Sequence, residues 1–293
     1  MLKLFASGAL LALLYSQLNF TELSDKIHQL PLGLLLLVYF SSQIFSALKW
    51  SLILKDAGLT HYLGRGFASY FSGMLVNLIG PGTVGGDASR AFLISQELRS
   101  TSKAALITVF DRLHGLLVLA LLSLCSLLLF EHKIISEKER LLLLGVIALL
   151  SAPTIYFLGN YLKKLYPLRS LKTLLNISAI SIVSHILQIA FYLIIFQAHQ
   201  LKVPPETIFL LIPLVNILSA LPFTLGGLGV RESALLVFFG GHGLELESAA
   251  VAGAAWVAIS FLSASLGAFF LPREVSLANT KSRWFFSGAS IRS

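Results

Sequence analysis

The stretch Pro81-Gly-Thr-Val-Gly-Gly-Asp-Ala-Ser-Arg90 interrupts an apolar part of the chain with two adjacent glycines, a carboxylate and an arginine. In the second half of the chain the pattern recurs as Pro222-Phe-Thr-Leu-Gly-Gly-Leu-Gly-Val-Arg231. Both copies have the form Pro-x-Thr-[Val/Leu]-Gly-Gly-x-x-x-Arg. Proline ends a helix because it lacks an N–H group, and paired glycines allow backbone angles that other residues avoid. Each copy therefore predicts a half-helix, a sharp break and the start of a second half-helix.

The composition of the rest of the chain is that of a membrane protein. Of the 293 residues, 56% are hydrophobic and only 12% are charged, and the mean hydropathy is +0.83. A soluble domain carries about 25% charged residues, so this chain has too few charges to solvate a surface. We predict an all-α polytopic membrane protein with about six full transmembrane helices, because six apolar runs approach the about 20 residues that a helical span needs. These runs are 4–20, 30–54, 105–130, 141–159, 177–197 and 248–271.

Two further apolar regions, 67–98 and 207–244, are broken in the middle by the two glycine stretches. The halves of each region are too short to cross a bilayer alone. We therefore predict two re-entrant helix pairs. Short segments interrupted by Gly or Pro at corresponding positions of two halves are the best sequence indication of a transporter's binding site.

The distribution of Lys and Arg predicts the topology. If the N-terminus is cytoplasmic, the inner loops hold fifteen basic residues and the outer loops five, and this bias favours two cytoplasmic termini. The two re-entrant pairs would then enter from opposite sides of the membrane. We expect residues 1–272 to form the membrane domain and 273–293 a basic cytoplasmic tail. The inner set is Lys3, Lys49, Lys55, Arg65, Arg90, Arg99, Lys103, Lys163, Lys164, Arg169, Lys172, Arg273, Lys281, Arg283 and Arg292.

The arginine of each copy is expected in the first turn of the second half-helix. Asp87 is a good N-cap for a helix starting near Ala88, and Gly229 is a plausible cap in the second copy. Free N–H groups and the helix dipole make such an N-terminus an anion site, to which arginine adds a forked donor. The pattern favours recognition of an anionic group, most simply a lipid phosphate. The alternative is a helix-breaking loop at the membrane surface, with Arg90 reaching towards headgroups.

The nearby carboxylates leave several pairings open. Glu232 could cap the helix dipole, carry a proton or pair with the arginine of the other copy. The natural pairs between the two copies are Arg90 with Glu232 and Arg231 with Asp87. Asn77 and Asn216 each precede a break and could bind the freed backbone groups.

Other charged residues interrupt the predicted spans. Asp111 and Arg112 either lie at the cytoplasmic interface, if the span starts near Leu113, or line a central cavity, since charges inside spans are usually functional. Lys49 and Trp50 are typical of an interfacial anchor.

The chain has no motif typical of metal binding, nucleotide binding or hydrolysis, so we expect no cofactor, no metal and no nucleic-acid partner.

The two glycine motifs and an Asp-Arg pair resemble those of the lysylphosphatidylglycerol synthase transmembrane-region family, the flippase part of multiple peptide resistance factors. The resemblance implies a domain that moves a lipid with a charged or glycosylated headgroup between leaflets of a bacterial or archaeal cell (inner) membrane. The full-length synthases continue into a cytosolic aminoacyl-transferring domain, for which this chain has no room before Ser293. The residues that carry the resemblance are Pro81, Gly85, Gly86, Asp87, Arg90, Asp111, Arg112, Pro222, Thr224, Gly226, Gly227, Gly229, Arg231 and Glu232.

The leading hypothesis is a flippase of an anionic or polar-headgroup phospholipid or lipid-linked intermediate, with no catalytic residues. Its expected partners are the membrane lipid and a separately encoded lipid-modifying enzyme. The alternatives are a membrane-embedded enzyme or subunit of headgroup or glycosyl transfer, with Asp87 or Glu232 as a general base, and a structural membrane partner. The predicted headgroup site comprises Arg90, Arg112, Arg231, Gly85, Gly86, Gly226, Gly227 and Gly229, with Asp87, Asp111 and Glu232 for charge pairing or proton transfer and Pro81 and Pro222 as helix breaks.

Overall fold

The computed structural model describes Ser16, Gly227 and residues 18–79, 83–131, 137–157, 171–220 and 229–270. Within these segments the chain forms ten α-helices, one short 3₁₀ helix and no β-strand. The all-α class predicted from the sequence is therefore confirmed. The helices are α1 Phe20–His28, α2 Leu32–Asp56, α3 Tyr62–Ile79, α4 Thr83–Leu98, α5 Thr101–Leu129, α6 Glu137–Phe157, α7 Leu171–Ala198, α8 Pro205–Ala220, α9 Val230–Phe239 and α10 Leu246–Ser265, with the 3₁₀ helix Gly240–His242 after α9.

Four segments are long and apolar enough to cross a bilayer, and they correspond to four of the six predicted spans. They are Leu32–Asp56, Thr101–Leu129, Lys172–Ala198 and Leu246–Phe270. The predicted run 141–159 falls in α6, which the structure extends from Glu137 to Phe157. The first predicted run, 4–20, lies almost wholly outside the described residues, as does the predicted tail 273–293.

The outer surface of the helices is apolar. Leu37, Leu129, Leu149 and Phe269 have exposed fractions between 62% and 78%. A soluble protein rarely exposes such a continuous apolar surface, whereas lipid tails solvate it without cost. The exposure pattern therefore agrees with a multi-pass membrane protein.

Local sequence signals account for several helix ends. Gly58 follows α2 with a φ of 102°, and the N–H groups of Gly58 and Leu59 donate to the carbonyls of Lys55 and Leu54, as in a glycine-terminated helix. Ser100 caps α5 by accepting a hydrogen bond of 3.1 Å from the backbone N–H of Lys103. Helix α5 thus begins at Thr101, well before Leu113, and both Asp111 and Arg112 lie inside it.

Helices α3 and α4 pack against each other and form the first hairpin. The Lys103 ammonium, at the start of α5, donates a hydrogen bond of 2.9 Å to the carbonyl of Ala57, just after α2. The end of α2 and the start of α5 therefore lie on the same side of the molecule, so the α3–α4 hairpin enters and leaves from that side.

Helices α8 and α9 form the second hairpin, which enters from the opposite side. At the far end of α5, the Ser126 hydroxyl donates to the carbonyl of Glu206, at the start of α8. His199, at the end of α7, donates to the carbonyl of Lys26, and Lys26 forms an ion pair of 3.0 Å with Glu245, which precedes α10. The starts of α8 and α10 are thus together on the side opposite to Ala57 and Lys103. The hairpins are inverted relative to each other, in agreement with the sequence prediction.

The second half-helix of the first copy begins earlier than the sequence predicted. Helix α4 begins at Thr83, not near Ala88, so Asp87 is inside the helix and is not its N-cap. Gly85 and Gly86 are helical residues of the first turns. Gly86 allows close packing, because a Cβ there would lie 2.2 Å from the carbonyl oxygen of Gly73 on α3. Pro81, Pro222 and Gly226 lie outside the described residues.

Two apolar clusters form the interior, one near each side of the molecule. The larger contains Leu35, Phe191 and Leu235, and the smaller contains Trp50 and Ile107. Between these positions α2, α5 and α7 carry polar and charged side chains along the same buried faces. This arrangement leaves a polar layer between two apolar layers, and the candidate site lies in it.

Candidate functional site

The polar layer encloses a cavity of about 360 Å³. It is lined by side chains from both hairpins and from α2, α5, α7 and α10, so it is a shared central site and not a groove on one element. Five of the predicted charged residues line it: Asp87, Arg90, Asp111, Arg112 and Arg231. The remaining described residues of the prediction, namely Gly85, Gly86, Gly227, Gly229 and Glu232, are not among its lining residues.

A chain of ion pairs runs along one wall of the cavity. The Lys49 ammonium lies 2.8 Å from one oxygen of Asp111, and the Arg90 guanidinium lies 3.1 Å from the other. Arg90 also contacts Asp87 at 3.1 Å, and Asp87 in turn pairs with Arg112. Each of the two carboxylates is therefore shared by two cations. Because both partners of Arg90 lie within the first half of the chain, the predicted pair between Arg90 and Glu232 is wrong.

Aromatic rings cover the guanidinium of Arg90. Its central carbon lies 4.5 Å from the ring centre of Trp50 and 5.6 Å from that of Tyr70, positions in which a cation is attracted to the ring face. Arg90 is only 6% exposed and Lys49 only 8%. The interfacial-anchor interpretation of Lys49 and Trp50 is therefore wrong: both are buried and both hold the ion-pair chain. The sequence showed only a basic residue beside a tryptophan, which fits either role.

The burial of Asp111 also decides the alternative left open for that residue. Asp111 is 7% exposed and lies in the interior of α5, so it is a cavity residue and not an interfacial one. The topology prediction placed Lys49 and Arg90 among the basic residues of the inner loops. Because both are buried within helices, they do not count as loop charges.

Arg231 stands apart from the ion-pair chain. It is 6% exposed and its guanidinium lies 4.4 Å from the ring centre of Trp256 on α10. Its Nε and Nη1 atoms have no hydrogen-bond partner, and no carboxylate among the described residues pairs with it. The predicted pair between Arg231 and Asp87 is therefore wrong. A buried cation without a counter-charge is costly, and its position in the first turn of α9 adds the like-signed end of the helix dipole.

Glu232 caps α9 instead of entering the cavity. Its carboxylate accepts a hydrogen bond of 2.7 Å from the backbone N–H of Gly229, which has a φ of 82° and is the N-cap. A Cβ on Gly253 of α10 would lie 1.9 Å from the Glu232 Oε1 atom, so that glycine makes room for the carboxylate. The capping role offered by the sequence is thus the one that the structure shows.

The glycines beside the two arginines allow close packing. A Cβ on Gly73 would lie 2.5 Å from the Arg90 side chain, and a Cβ on Gly227 would lie 2.9 Å from Ser219 and 3.4 Å from Arg231. Gly73 was not singled out from the sequence, because a lone glycine in an apolar segment has no distinguishing pattern. Trp256 was missed because a lone tryptophan in an apolar segment has no distinguishing pattern either.

The asparagines before the two breaks behave differently. Asn77 accepts a hydrogen bond of 2.7 Å from the backbone N–H of Gly86, so it binds a free N–H group at the start of α4 as expected. Asn216 donates to the side chain of Gln188 on α7 at 3.4 Å and contributes to the polar wall. The two repeats are therefore similar in topology but not in detail.

These features define a multi-pass α-helical membrane protein with a buried, charged cavity between two inverted helix hairpins. A family model described as "Lysylphosphatidylglycerol synthase TM region" matches residues 1–267. The chain belongs to that family, as its glycine motifs indicated, and is a membrane lipid-related protein. No curated protein and no solved structure matches it.

Proposed function

We propose that this protein translocates a phospholipid or lipid-linked intermediate with an anionic or polar headgroup across the membrane, and that the central cavity binds the headgroup. The observation that carries the proposal is Arg231, a buried guanidinium without a carboxylate partner that lines the cavity at a helix N-terminus. An anionic headgroup would supply the ion-pair partner that Arg231 lacks among the described residues.

The charge balance of the cavity supports an anionic ligand. Its described lining contains four basic side chains, Lys49, Arg90, Arg112 and Arg231, but only two carboxylates, Asp87 and Asp111. In a low-dielectric interior, a positive excess attracts anions far more strongly than it would in water. Guanidinium groups also match the geometry of phosphate oxygens.

The inverted hairpins support translocation in preference to static binding. The α3–α4 hairpin reaches the cavity from one side of the molecule and the α8–α9 hairpin from the other. In transporters with inverted repeats, rocking or gating of one repeat against the other opens a fixed midplane site alternately to each side. We propose the same alternation here.

The enzymatic alternative receives less support from the contacts. Asp87 is shared by Arg90 and Arg112, and Glu232 accepts the N–H of Gly229. A general base must reach the proton that it removes, and both carboxylates are held in other contacts.

We further propose that the protein lies in the bacterial or archaeal cell (inner) membrane with both termini cytoplasmic, as the basic residues indicate, and that a separately encoded enzyme supplies its lipid.

The proposal predicts loss of transport when Arg231 loses its charge. Purified protein would be reconstituted into vesicles that contain lipids with a fluorescent label on the headgroup, and transfer between leaflets would be followed by chemical quenching of the outer leaflet. We expect Arg231→Ala to lower the transfer rate at least about 100-fold, the effect of removing about 2.7 kcal/mol of binding at the barrier. The exposed Lys202→Ala variant, which removes a distant positive charge, is the matched control. Unchanged transfer by Arg231→Ala in folded protein would refute the proposal.

A further inference from the structure

We infer that Trp256 is a positioning residue for headgroup binding: its ring holds the Arg231 guanidinium through a cation–π contact, so that N–H groups of Arg231 stay available to an anionic oxygen group such as a phosphate. The inference rests on the proposed function and names a second residue of the same site. Trp256 acts through Arg231, and both side chains line the cavity.

The Trp256 ring gives Arg231 an electrostatic partner that accepts no conventional hydrogen bond. The central carbon of the guanidinium lies over the ring, 4.4 Å from its centre, where the negative ring face attracts a cation. The Nε and Nη1 atoms of Arg231 have no hydrogen-bond partner. A guanidinium carries its donors in a rigid planar fork that matches carboxylate and phosphate oxygens. The ring therefore stabilises the charge and leaves donors for a ligand, whereas a carboxylate in its place would occupy them.

The neighbouring Glu232 does not take over this role. Its carboxylate attracts Arg231 through space and offsets part of the guanidinium's charge. The carboxylate itself accepts the backbone N–H of Gly229 at 2.7 Å and lies against Gly253, because side chains of adjacent helical residues do not face each other. Glu232 thus reduces the cost of burying Arg231 without using the donors at Nε and Nη1.

Three further aromatic rings hold Trp256 in place. Tyr39 and Phe191 contact its ring edge to face, with ring centres 5.0 Å and 5.2 Å away. Tyr192 stacks on it at 5.5 Å with an interplanar angle of 17°, and both Phe191 and Tyr192 are fully buried. Close-packed side chains of this kind keep one arrangement. Because the ring is fixed, the guanidinium over it is positioned before a ligand arrives, which lowers the entropic cost of binding.

The other arginine of the repeated motif is held differently. Trp50 covers Arg90 at 4.5 Å, but the Nη2 group of Arg90 also donates hydrogen bonds of 3.1 Å to Asp87 and to Asp111. The protein therefore engages Arg90 both through a ring and through carboxylates. A ligand would have to displace a carboxylate to reach the same donor group. This difference places the headgroup contact at Arg231 and the positioning role at Trp256.

The first test separates the ring face from the bulk of the side chain. Calorimetric titration of the full chain in detergent would measure binding of dioctanoyl phosphatidylglycerol, an anionic lipid. Trp256→Leu and Trp256→Phe both lose the indole and part of its packing, but only phenylalanine keeps a ring face. We expect the dissociation constant to rise at least about tenfold in Trp256→Leu, equivalent to about 1.4 kcal/mol, and to stay within about threefold in Trp256→Phe.

Thermal unfolding of the same samples shows whether packing alone explains the result. The two Trp256 variants should lose similar amounts of Tm while differing in affinity. Phe239→Leu truncates a fully buried ring at the far end of α9 and should lower the Tm with unchanged affinity. If Trp256→Leu fails to fold, Trp256→Met tests the same loss of a ring face with a side chain that fills gaps more readily. Equal affinities in the leucine and phenylalanine variants would overturn the inference.

A double-mutant cycle shows whether Trp256 acts through Arg231. Arg231→Gln removes the cation but keeps hydrogen-bond donors. In that background Trp256→Leu should weaken binding by about twofold or less, because the group that the ring positions is gone and the two effects are coupled. Losses that multiply in the double variant would show that Trp256 acts independently, which contradicts a positioning role.

The outcomes distinguish this inference from the proposed function. If Arg231→Gln weakens lipid binding but both Trp256 variants bind like the unchanged chain, the headgroup site stands and the positioning role fails. If neither Arg231→Gln nor Trp256→Leu alters binding, both fail. If inorganic phosphate competes as strongly as the lipid in the unchanged chain but not in Trp256→Leu, the positioning role stands, whereas lipid recognition and the proposed function fail.

Discussion

The close packing of the α3–α4 hairpin predicts that one added methyl group should destabilise the protein. In Gly86→Ala the new Cβ would lie 2.2 Å from the Gly73 carbonyl oxygen and 2.4 Å from the Asn77 side chain, whereas real Cβ contacts essentially never fall below 3.0 Å. The two helices must therefore separate locally, or Asn77 must move and give up its 2.7 Å hydrogen bond to the Gly86 N–H group.

The expected size follows from three contributions. Overpacking costs about 1–3 kcal/mol, and loss of a buried hydrogen bond costs about 1 kcal/mol. Replacing glycine by alanine inside a helix returns about 1 kcal/mol. The free energy of unfolding should thus fall by about 1–3 kcal/mol. At about 2–4 °C per kcal/mol for chains of comparable size, the Tm should fall by several degrees.

The measurement is thermal unfolding of the purified protein in detergent, with Gly145→Ala as the matched control. Gly145 lies in α6, and a Cβ there meets no atom within 4 Å, so this variant has only the helix-propensity gain and should be unchanged or more stable. The two variants should therefore differ in sign. A Tm for Gly86→Ala equal to or above that of Gly145→Ala would refute the close approach of the two helices.

Two further predictions concern the ion pairs and the topology. Asp111→Asn leaves Lys49 with no carboxylate at its 2.8 Å contact, and we expect the free energy of unfolding to fall by about 3–5 kcal/mol. In thermal unfolding, the double variant with Lys49→Met should recover part of that loss. Strictly additive losses would show that the pair is not coupled. Single cysteines at Lys103 and Lys202, in a Cys125→Ser background, should react with an impermeant reagent from opposite sides of the membrane. Reaction of both from the same side would contradict the inverted hairpins.

The elements that were predictable from the sequence are those that depend on local pattern. The apolar runs fell on the long helices α2, α5, α7 and α10, since a span needs only length and hydropathy. The broken regions 67–98 and 207–244 fell on the two hairpins, α3–α4 and α8–α9. The exact start of α4 was not predictable: Asp87 fits an N-cap by residue type, but the helix begins at Thr83 and its Gly86 packs closely against α3.

The charged residues of the site were found, but not their partners. Residue type and an interruption in an apolar run identified Arg90, Asp111 and Arg231, since charges are rare inside spans. The contacts between them depend on how α2, α4 and α5 pack. Lys49 was assigned to the interface because nothing in its neighbours distinguishes a buried lysine from one at the surface.

By itself, the sequence determined the membrane class, the two broken segments and the arginines that follow them, because hydropathy, helix breaking and charge are properties of short stretches. Only the tertiary structure decided that Arg90 pairs with Asp87 and Asp111, whereas Arg231 forms no ion pair with a carboxylate of the described residues. The reason is that the Coulomb energy of a pair depends on distance and burial, and both are set by helices far apart in the chain. The two copies of one motif therefore acquire different electrostatic environments.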